Sequence, residues 1–435
     1  GAACFLLFSY FPKFSSILLK FQLLCSVWEI FILSYYWRAC RLNEQNHLKP
    51  FPNMTGGFEL RETGSKGVGV FAAKPFAEND VIFEETPIVS AQFCWNEAYG
   101  YYACHHCLKP MESVEENVRR LTANASVVVP FPELCVTAKS NQVFCESCGV
   151  GFCSEGCKTL AEQQYHSLLC PGKLPAMVHL VETWKRMHYP PETTSISLIA
   201  RIIAMVETAA DRESLVQSLM SFSHEATDES SGLCLLQGKD DEDKIKTLQA
   251  LIQETIPINH AQSFVSEEGL RSLFALIGRN GQGIGTSVFS EWVKFVEKKE
   301  MSTEERDSVD SFIDTAYANM NEHVGSFLNC EGSGLYKLQR CVNHSCEPNA
   351  RINFPRSDHT LVLEATRPIA PGDEICISYL DECMLERSRH TRNKTLKEFY
   401  LFECKCDKCI AQSDQPDVTS EEESDEDDDD QDMES

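Results

Sequence analysis

Cysteine placement constrains this chain more than any other property. Among 21 cysteines in 435 residues, seven stand with one histidine in four close pairs. They run Cys104-x2-Cys107, then after a gap of 37 residues Cys145-x2-Cys148, Cys153-x3-Cys157 and His166-x3-Cys170. A tight knuckle presents two sulfurs to one ion at about 2.3 Å, and a tetrahedral zinc takes four such ligands, so eight suffice for two ions. A disulfide-built secreted scaffold would spread its cysteines through a small, loop-rich chain. Pairs at metal spacing imply zinc and a reducing compartment instead. Cys135 lies in the long gap and is an alternative ligand for the first site.

Charge narrows the partners. The formal net charge is −26, of which 11 acidic and no basic residues fall between Glu421 and Glu434, leaving −15 on the rest. Such a chain is poorly suited to nucleic acid bound by phosphate neutralisation, and well suited to a basic protein. The acidic run itself has two readings, a solvated solubilising tail or a contact for basic substrate.

The length allows about three domains of ~150 residues. The segment 1–53 differs in character from the remainder. Its apolar run Phe21–Trp37 contains Glu29 and is short against the ~20 apolar residues of a membrane span. It is expected to be an extraneous or mistranslated piece, with Met54 as the true start; a membrane anchor is the second reading. Beyond it, Val81-Ile82-Phe83 and Ile88-Val89 have strand composition, and Ile199, Ile202, Ile203 and Val206 recur at helical spacing. Helical periods extend over about 176–328. Strand composition returns at Ala350–Phe354, Thr360–Glu364 and Glu374–Tyr379, followed by a basic helical stretch, Met384–Phe402. The glycines of Asn280–Gly285 lack a preceding apolar strand, which argues against a dinucleotide fingerprint.

Three further pieces carry chemistry only in combination. Lys66-Gly67-Val68-Gly69 is a glycine turn where backbone can approach a ligand. Asn343-His344-Ser345-Cys346-Glu347-Pro348-Asn349 is a loop dense in hydrogen-bonding side chains, and Gly372-Asp373-Glu374-Ile375-Cys376-Ile377-Ser378-Tyr379 is a turn entering a strand that ends on tyrosine. In this order they resemble the SET domain of lysine methyltransferases. The late cluster Cys404-x-Cys406-x2-Cys409 resembles that family's post-SET segment, and the four earlier pairs resemble the MYND zinc finger. A MYND finger interrupting a SET domain is the plan of the SMYD family.

The resemblance implies an α+β fold. A SET β-fold of small sheets would be interrupted by a MYND finger and a helical insertion, and closed by a zinc-binding post-SET segment. Its divisions would be 54–103 for the first SET portion, 104–170 for the finger, 171–270 for the insertion, 271–380 for the C-terminal SET core, 381–411 for post-SET and 412–435 for an acidic tail. It implies S-adenosyl-L-methionine, held by Lys66, Gly67, Gly69, Asn343, His344, Tyr379 and Phe402, with Tyr379 as the catalytic residue. It also implies three zinc ions. Cys104, Cys107, Cys153 and Cys157 would hold the first, and Cys145, Cys148, His166 and Cys170 the second. Cys404, Cys406 and Cys409 would hold the third, completed by Cys346 from the loop. The implied activity is protein-lysine N-methylation of basic substrates, histone tails or non-histone proteins such as ribosomal ones. Other protein partners would bind through the finger, with no nucleic acid or membrane, in cytoplasm or nucleus. The rival reading is a MYND-based interaction scaffold or transcriptional corepressor with little transferase activity.

Overall fold

The structure, a computed structural model, describes residues 56–135, 137–187, 196–223, 241–325 and 328–415. The segment 1–53 and the acidic run from Glu421 to Glu434 lie outside the described residues. The described chain is α+β, with small sheets at both ends and helices between.

Strands β1 (Phe58–Glu62) and β2 (Val68–Ala72) form an antiparallel hairpin across the turn Gly64–Lys66. Val70 and Ala72 alternate inward, so this hairpin has one buried face. With β3 (Val81–Glu85) and β4 (Val89–Gln92) the first portion ends. Short strands β5 (Val143–Phe144) and β6 (Gly151–Phe152) pair within the cysteine-rich segment. The remaining strands are β7 (Gly281–Thr286), β8 (Cys330–Leu335), β9 (Asn343–His344), β10 (Ala350–Asn353), β11 (Leu361–Ala365) and β12 (Glu374–Ile377). They complete three sheets with the first portion, in the orders β1-β2-β12-β9, β10-β11-β3 and β4-β8-β7. Thus each sheet joins strands from opposite ends of the described chain. Phe58, Val70, Ile82, Phe83, Leu363 and Ile375 fill the core between the first two sheets, with the rings of Phe58 and Phe83 5.3 Å apart.

The helical portion has its own core. The face Ile199, Ile202, Ile203 and Val206 of helix Ile196–Thr208 is buried as the periodicity predicts, but so are Leu198, Ala200 and Ala204. A helix covered on nearly all sides is central rather than peripheral. Helix Ala176–Met187 sets Trp184 in a stacked contact on Phe274 of helix Glu267–Asn280.

One feature departs from the sequence reading and a second lay outside it. The glycine-rich run after Asn280 is strand β7, paired along its whole length with β8. Glycine has low strand propensity and no side chain to show alternation, so the pattern was silent there. The long gap inside the cysteine-rich segment is also structured. Its helix Val114–Leu121 starts on a Ser113/Glu116 capping box and packs Val114, Val118 and Leu121 on helices Val288–Glu297 and Thr303–Val324. Trp292 is the centre of this satellite core: it stacks on Phe289, and its indole N–H donates to the carbonyls of Pro130 and Phe131 at 3.0 and 3.2 Å.

Replacing Trp292 by alanine removes both the ring and the donor that ties the insertion down. It is expected to cost about 3–5 kcal/mol, read as a lower denaturation midpoint in urea, with first proteolytic cleavage shifting into residues 122–141.

Candidate active site and metal centres

The site is built where the chain crosses itself. Strands β9 and β12 pair in parallel, Asn343 against Cys376 and His344 against Ile377. The crossing is then sewn by the loop that follows. The Ser345 N–H donates to the Ile377 carbonyl at 2.9 Å, and the Asn349 side chain straddles β12. Its Nδ2 donates to the Glu374 carbonyl at 2.9 Å while its Oδ1 accepts the Cys376 N–H at 2.8 Å. One amide thus replaces both groups of a missing strand neighbour.

Glu374 ties this crossing to the glycine turn. Its carboxylate accepts Asn343 Nδ2 at 2.7 Å on one oxygen and Lys66 Nζ at 2.9 Å on the other. Burial opposes the Lys66 charge, but the hydrogen bond and charge of Glu374 outweigh it and hold the ammonium above its ordinary pKa. The two glycines serve this arrangement differently. Gly67 has φ 74° and ψ −132°, a backbone region essentially reserved for glycine, with open space where a side chain would stand. At Gly69 a Cβ would lie 2.9 Å from Glu374 Oε1 and 2.8 Å from Thr63 Cγ2, so the missing side chain makes room for the carboxylate.

An aromatic cluster lies at the end of β12. Tyr379 stands 5.4 Å from His344, 4.9 Å from Tyr400 and 6.2 Å, edge-on, from Phe402 by ring centroids. The Tyr379 backbone N–H donates to His344 Nδ1 at 3.0 Å, which places the imidazole proton on Nε2. Burial pushes His344 down to about 4, so the ring is neutral near pH 7. Burial also pushes the Tyr379 phenol well above its usual value; the hydroxyl stays protonated and donates to the Val342 carbonyl at 2.9 Å. Tyr400 and Phe402 reach this cluster from the C-terminal segment because Leu401, at φ 63° in the left-handed region, ends helix Arg389–Tyr400 sharply between them. The Tyr400 hydroxyl donates to the Tyr379 carbonyl at 3.3 Å.

All expected cofactor-site residues therefore fall in two adjoining groups: Lys66, Gly67, Gly69 and Asn343 around Glu374, and His344 and Phe402 around Tyr379. The sequence reading assigned no role to Glu374, Asn349 or Tyr400. Glu374 and Asn349 lay inside the quoted motifs, where a carboxylate between a turn and a strand was a signal. Tyr400 had only its place two residues before Phe402.

The expected metal ligands form three compact sets. Cys104, Cys107, Cys153 and Cys157 converge, as do Cys145, Cys148, His166 and Cys170, and Cys346 with Cys404, Cys406 and Cys409. Sulfurs at the corners of a tetrahedron 2.3 Å from zinc are about 3.8 Å apart, whereas disulfide sulfurs are about 2.05 Å apart. The separations are 3.6 Å for Cys107–Cys153, 3.5 Å for Cys153–Cys157 and 3.8 Å for Cys145–Cys170. Those for Cys346–Cys409 and Cys346–Cys404 are 3.6 and 3.9 Å, and Cys148 Sγ lies 3.6 Å from His166 Nε2. The geometry fits three zinc ions and no disulfide among these residues. Cys135 stays out of the first set: its thiol packs in the satellite core, 3.8 Å from the Val288 carbonyl, and burial raises it to about 11.

The cysteine-rich segment is fastened to the small sheets. The His359 N–H donates to the Cys107 carbonyl at 2.8 Å, and Thr286 Oγ1 to that of Leu108 at 2.9 Å. The buried Arg201 guanidinium reaches the His105 carbonyl at 2.7 Å while lying over the Tyr165 ring at 4.2 Å. No helix among the described residues is long and apolar enough to cross a membrane.

Small sheets, a loop crossing the strand Glu374–Ile377 and a tyrosine just beyond that strand are the arrangement the sequence led us to expect of a SET domain. The SET-domain family matches this chain over residues 67–380. The protein-lysine N-trimethyltransferase SMYD5 of Mus musculus is 46% identical over 375 residues, covering 85% of this chain and 90% of that protein. Its Homo sapiens counterpart is 44% identical over 366 residues, 83% and 88% of the two chains, and that of Danio rerio 42% over 364 residues, 82% and 88%. The chain belongs to the SET-domain family and, within it, to the SMYD group that holds these proteins.

Elemental analysis of the purified protein is expected to give three zinc ions per chain, matching the three ligand sets. Cys409→Ser should lose one ion and leave the other two, and a strong chelator should remove all three with loss of tertiary structure by near-ultraviolet dichroism.

Proposed function

We propose that this protein is an S-adenosyl-L-methionine-dependent protein-lysine N-methyltransferase acting on basic protein substrates. The observation that carries the reading is the buried, protonated Tyr379, held among His344, Tyr400 and Phe402, next to the Lys66–Glu374–Asn343 network. The relatives bearing the name protein-lysine N-trimethyltransferase support it, and extend it to products carrying up to three methyl groups.

The residues present fit the cofactor. Gly67 offers unobstructed backbone at a turn, and the network offers a carboxylate, an amide and an ammonium for an amino-acid moiety. His344 and Phe402, 6.1 Å apart by centroids, offer ring faces for an adenine. Bound S-adenosyl-L-methionine supplies a methyl carbon activated by a cationic sulfonium, whose charge also favours the neutral form of a nearby lysine amine.

The chain's own residues do the rest. A lysine with an ordinary pKa of ~10.4 is mostly charged at neutral pH, and a place beside the clustered rings of Tyr379, Tyr400 and Phe402 would disfavour the ammonium by desolvation. The Tyr379 hydroxyl is fixed on the Val342 carbonyl, so its ring and oxygen present a rigid wall that orients the amine. Because the phenol remains protonated, its role is positioning and electrostatic stabilisation rather than proton abstraction. The net charge of −15 outside the acidic run favours lysine- and arginine-rich substrates, such as histone tails or ribosomal proteins. Thiol-rich zinc sets suit a reducing compartment, which supports the reading of cytoplasm or nucleus; on the same reading further partners would bind through the segment 104–170.

Labelled methyl transfer from the cofactor to a basic peptide tests this directly, with mass spectrometry locating the label on lysine. Tyr379→Phe is expected to keep cofactor affinity within about threefold by calorimetry while lowering kcat about 100-fold or more. Equal turnover in the wild type and this variant would sink the role given to Tyr379; absence of lysine labelling by the wild type would leave only the interaction-scaffold reading.

A further inference from the structure

Arg392 is among the most deeply buried side chains of the described protein, at 1% exposure. Among the described residues its guanidinium meets no carboxylate. Nε lies 3.4 Å from Cys346 Sγ and Nη2 lies 3.6 Å from Cys409 Sγ. Nη2 also donates to Gln412 Oε1 at 2.7 Å, and Nη1 to the Arg387 carbonyl. An arginine that is always charged is costly to bury without an anion. Neutral thiols are weak acceptors and would not supply one.

Four thiolates around a divalent zinc do supply one, since that unit carries a net double negative charge in a largely enclosed site. We propose that Arg392 is the charge partner of the third zinc centre, donating to Cys346 and Cys409 so that the ion and the guanidinium stabilise each other. The proposal rests on the three-zinc reading of the ligand sets. Its neighbour Asn393 supports the same face: Oδ1 accepts the Cys404 N–H at 2.6 Å and Nδ2 lies 3.8 Å from Cys409 Sγ. Helix Arg389–Tyr400 therefore faces the metal centre with a cation and an amide from consecutive residues. Second-sphere donors of this kind orient ligands and dampen the basicity and reactivity of the sulfur.

Arg392 is a positioning residue with reach into the active site. Cys346 lies two residues beyond His344, and its sulfur is 3.4 Å from His344 Nε2. Holding Cys346 therefore holds the loop whose histidine receives the Tyr379 N–H.

The test is zinc transfer from the intact protein to a chromogenic chelator, followed with total zinc and thermal melting. Arg392→Met, of similar length but uncharged, is expected to lose one of three ions about tenfold faster, while Arg392→Lys stays close to wild type. With cobalt in place of zinc, the sulfur-to-metal charge-transfer band should move to lower energy in Arg392→Met only. Should Arg392→Met fail to fold, Gln412→Glu serves instead. It sets a carboxylate beside the guanidinium at a half-buried position, and is expected to speed loss of the same ion about threefold with an unchanged Tm. Wild-type release rates in these variants overturn the role of Arg392 and leave the zinc assignment standing. Two zinc ions in the wild type overturn both.

Discussion

A parallel pairing only two residues long, Asn343–His344 against Cys376–Ile377, is the constraint on which the rest of the site depends. So short a pairing cannot hold itself, since even an isolated two-stranded hairpin is marginal in water. It persists because side chains complete it. Asn349 supplies the hydrogen bonds of an absent strand, and Glu374 binds the crossing back to the glycine turn through Asn343 and Lys66. Tyr379 then leaves β12 with its backbone N–H on His344 and its hydroxyl on Val342. The polar bonds that make the crossing possible are the same ones that set the reacting groups in place.

The thiol sets extend this economy. The β-sheets among the described residues have only two to four strands each, so they bury limited apolar surface. Metal bonds carry what packing does not. The third set joins Cys346, in the crossing loop, to the segment that delivers Tyr400 and Phe402. The first two sets sit in a segment clamped to the sheets through Cys107, Leu108 and Arg201. The helical core and the satellite core around Trp292 are conventional by comparison, built from large apolar side chains.

Legibility in the sequence followed chemical rarity. Cysteine pairs are uncommon and their spacing is tied to a metal radius, so the ligands stood out in the sequence; the resemblance supplied which pairs share an ion, with Cys135 left open, and the structure brings those sets together without it. Apolar runs of strand composition, Val81-Ile82-Phe83 and Thr360–Glu364, likewise marked the strands Val81–Glu85 and Leu361–Ala365. Gly281–Thr286 was illegible as a strand because glycine carries neither propensity nor alternation, and it is paired only because β8 lies beside it. The gap holding Trp292's partners was given no structure from the sequence, since its apolar residues find their core in helices far downstream. Glu374, Asn349 and Arg392 were visible as letters but not as roles, because each acts across long sequence separations that spacing does not encode.

The sheet order carries a consequence for synthesis. Among the described strands β2 is the second made and β12 the last, yet they are neighbours, and the closing thiols of the third metal set follow later still. Closing such distant pairings demands that loop entropy be overcome before contacts repay it, which makes folding slow. A growing chain must therefore keep its β1–β2 hairpin, and the unmetallated thiols of its middle, from pairing wrongly until the strand Glu374–Ile377 and the late thiols have emerged. The cell must protect this enzyme from oxidation and aggregation longest at the stage when it has the least structure.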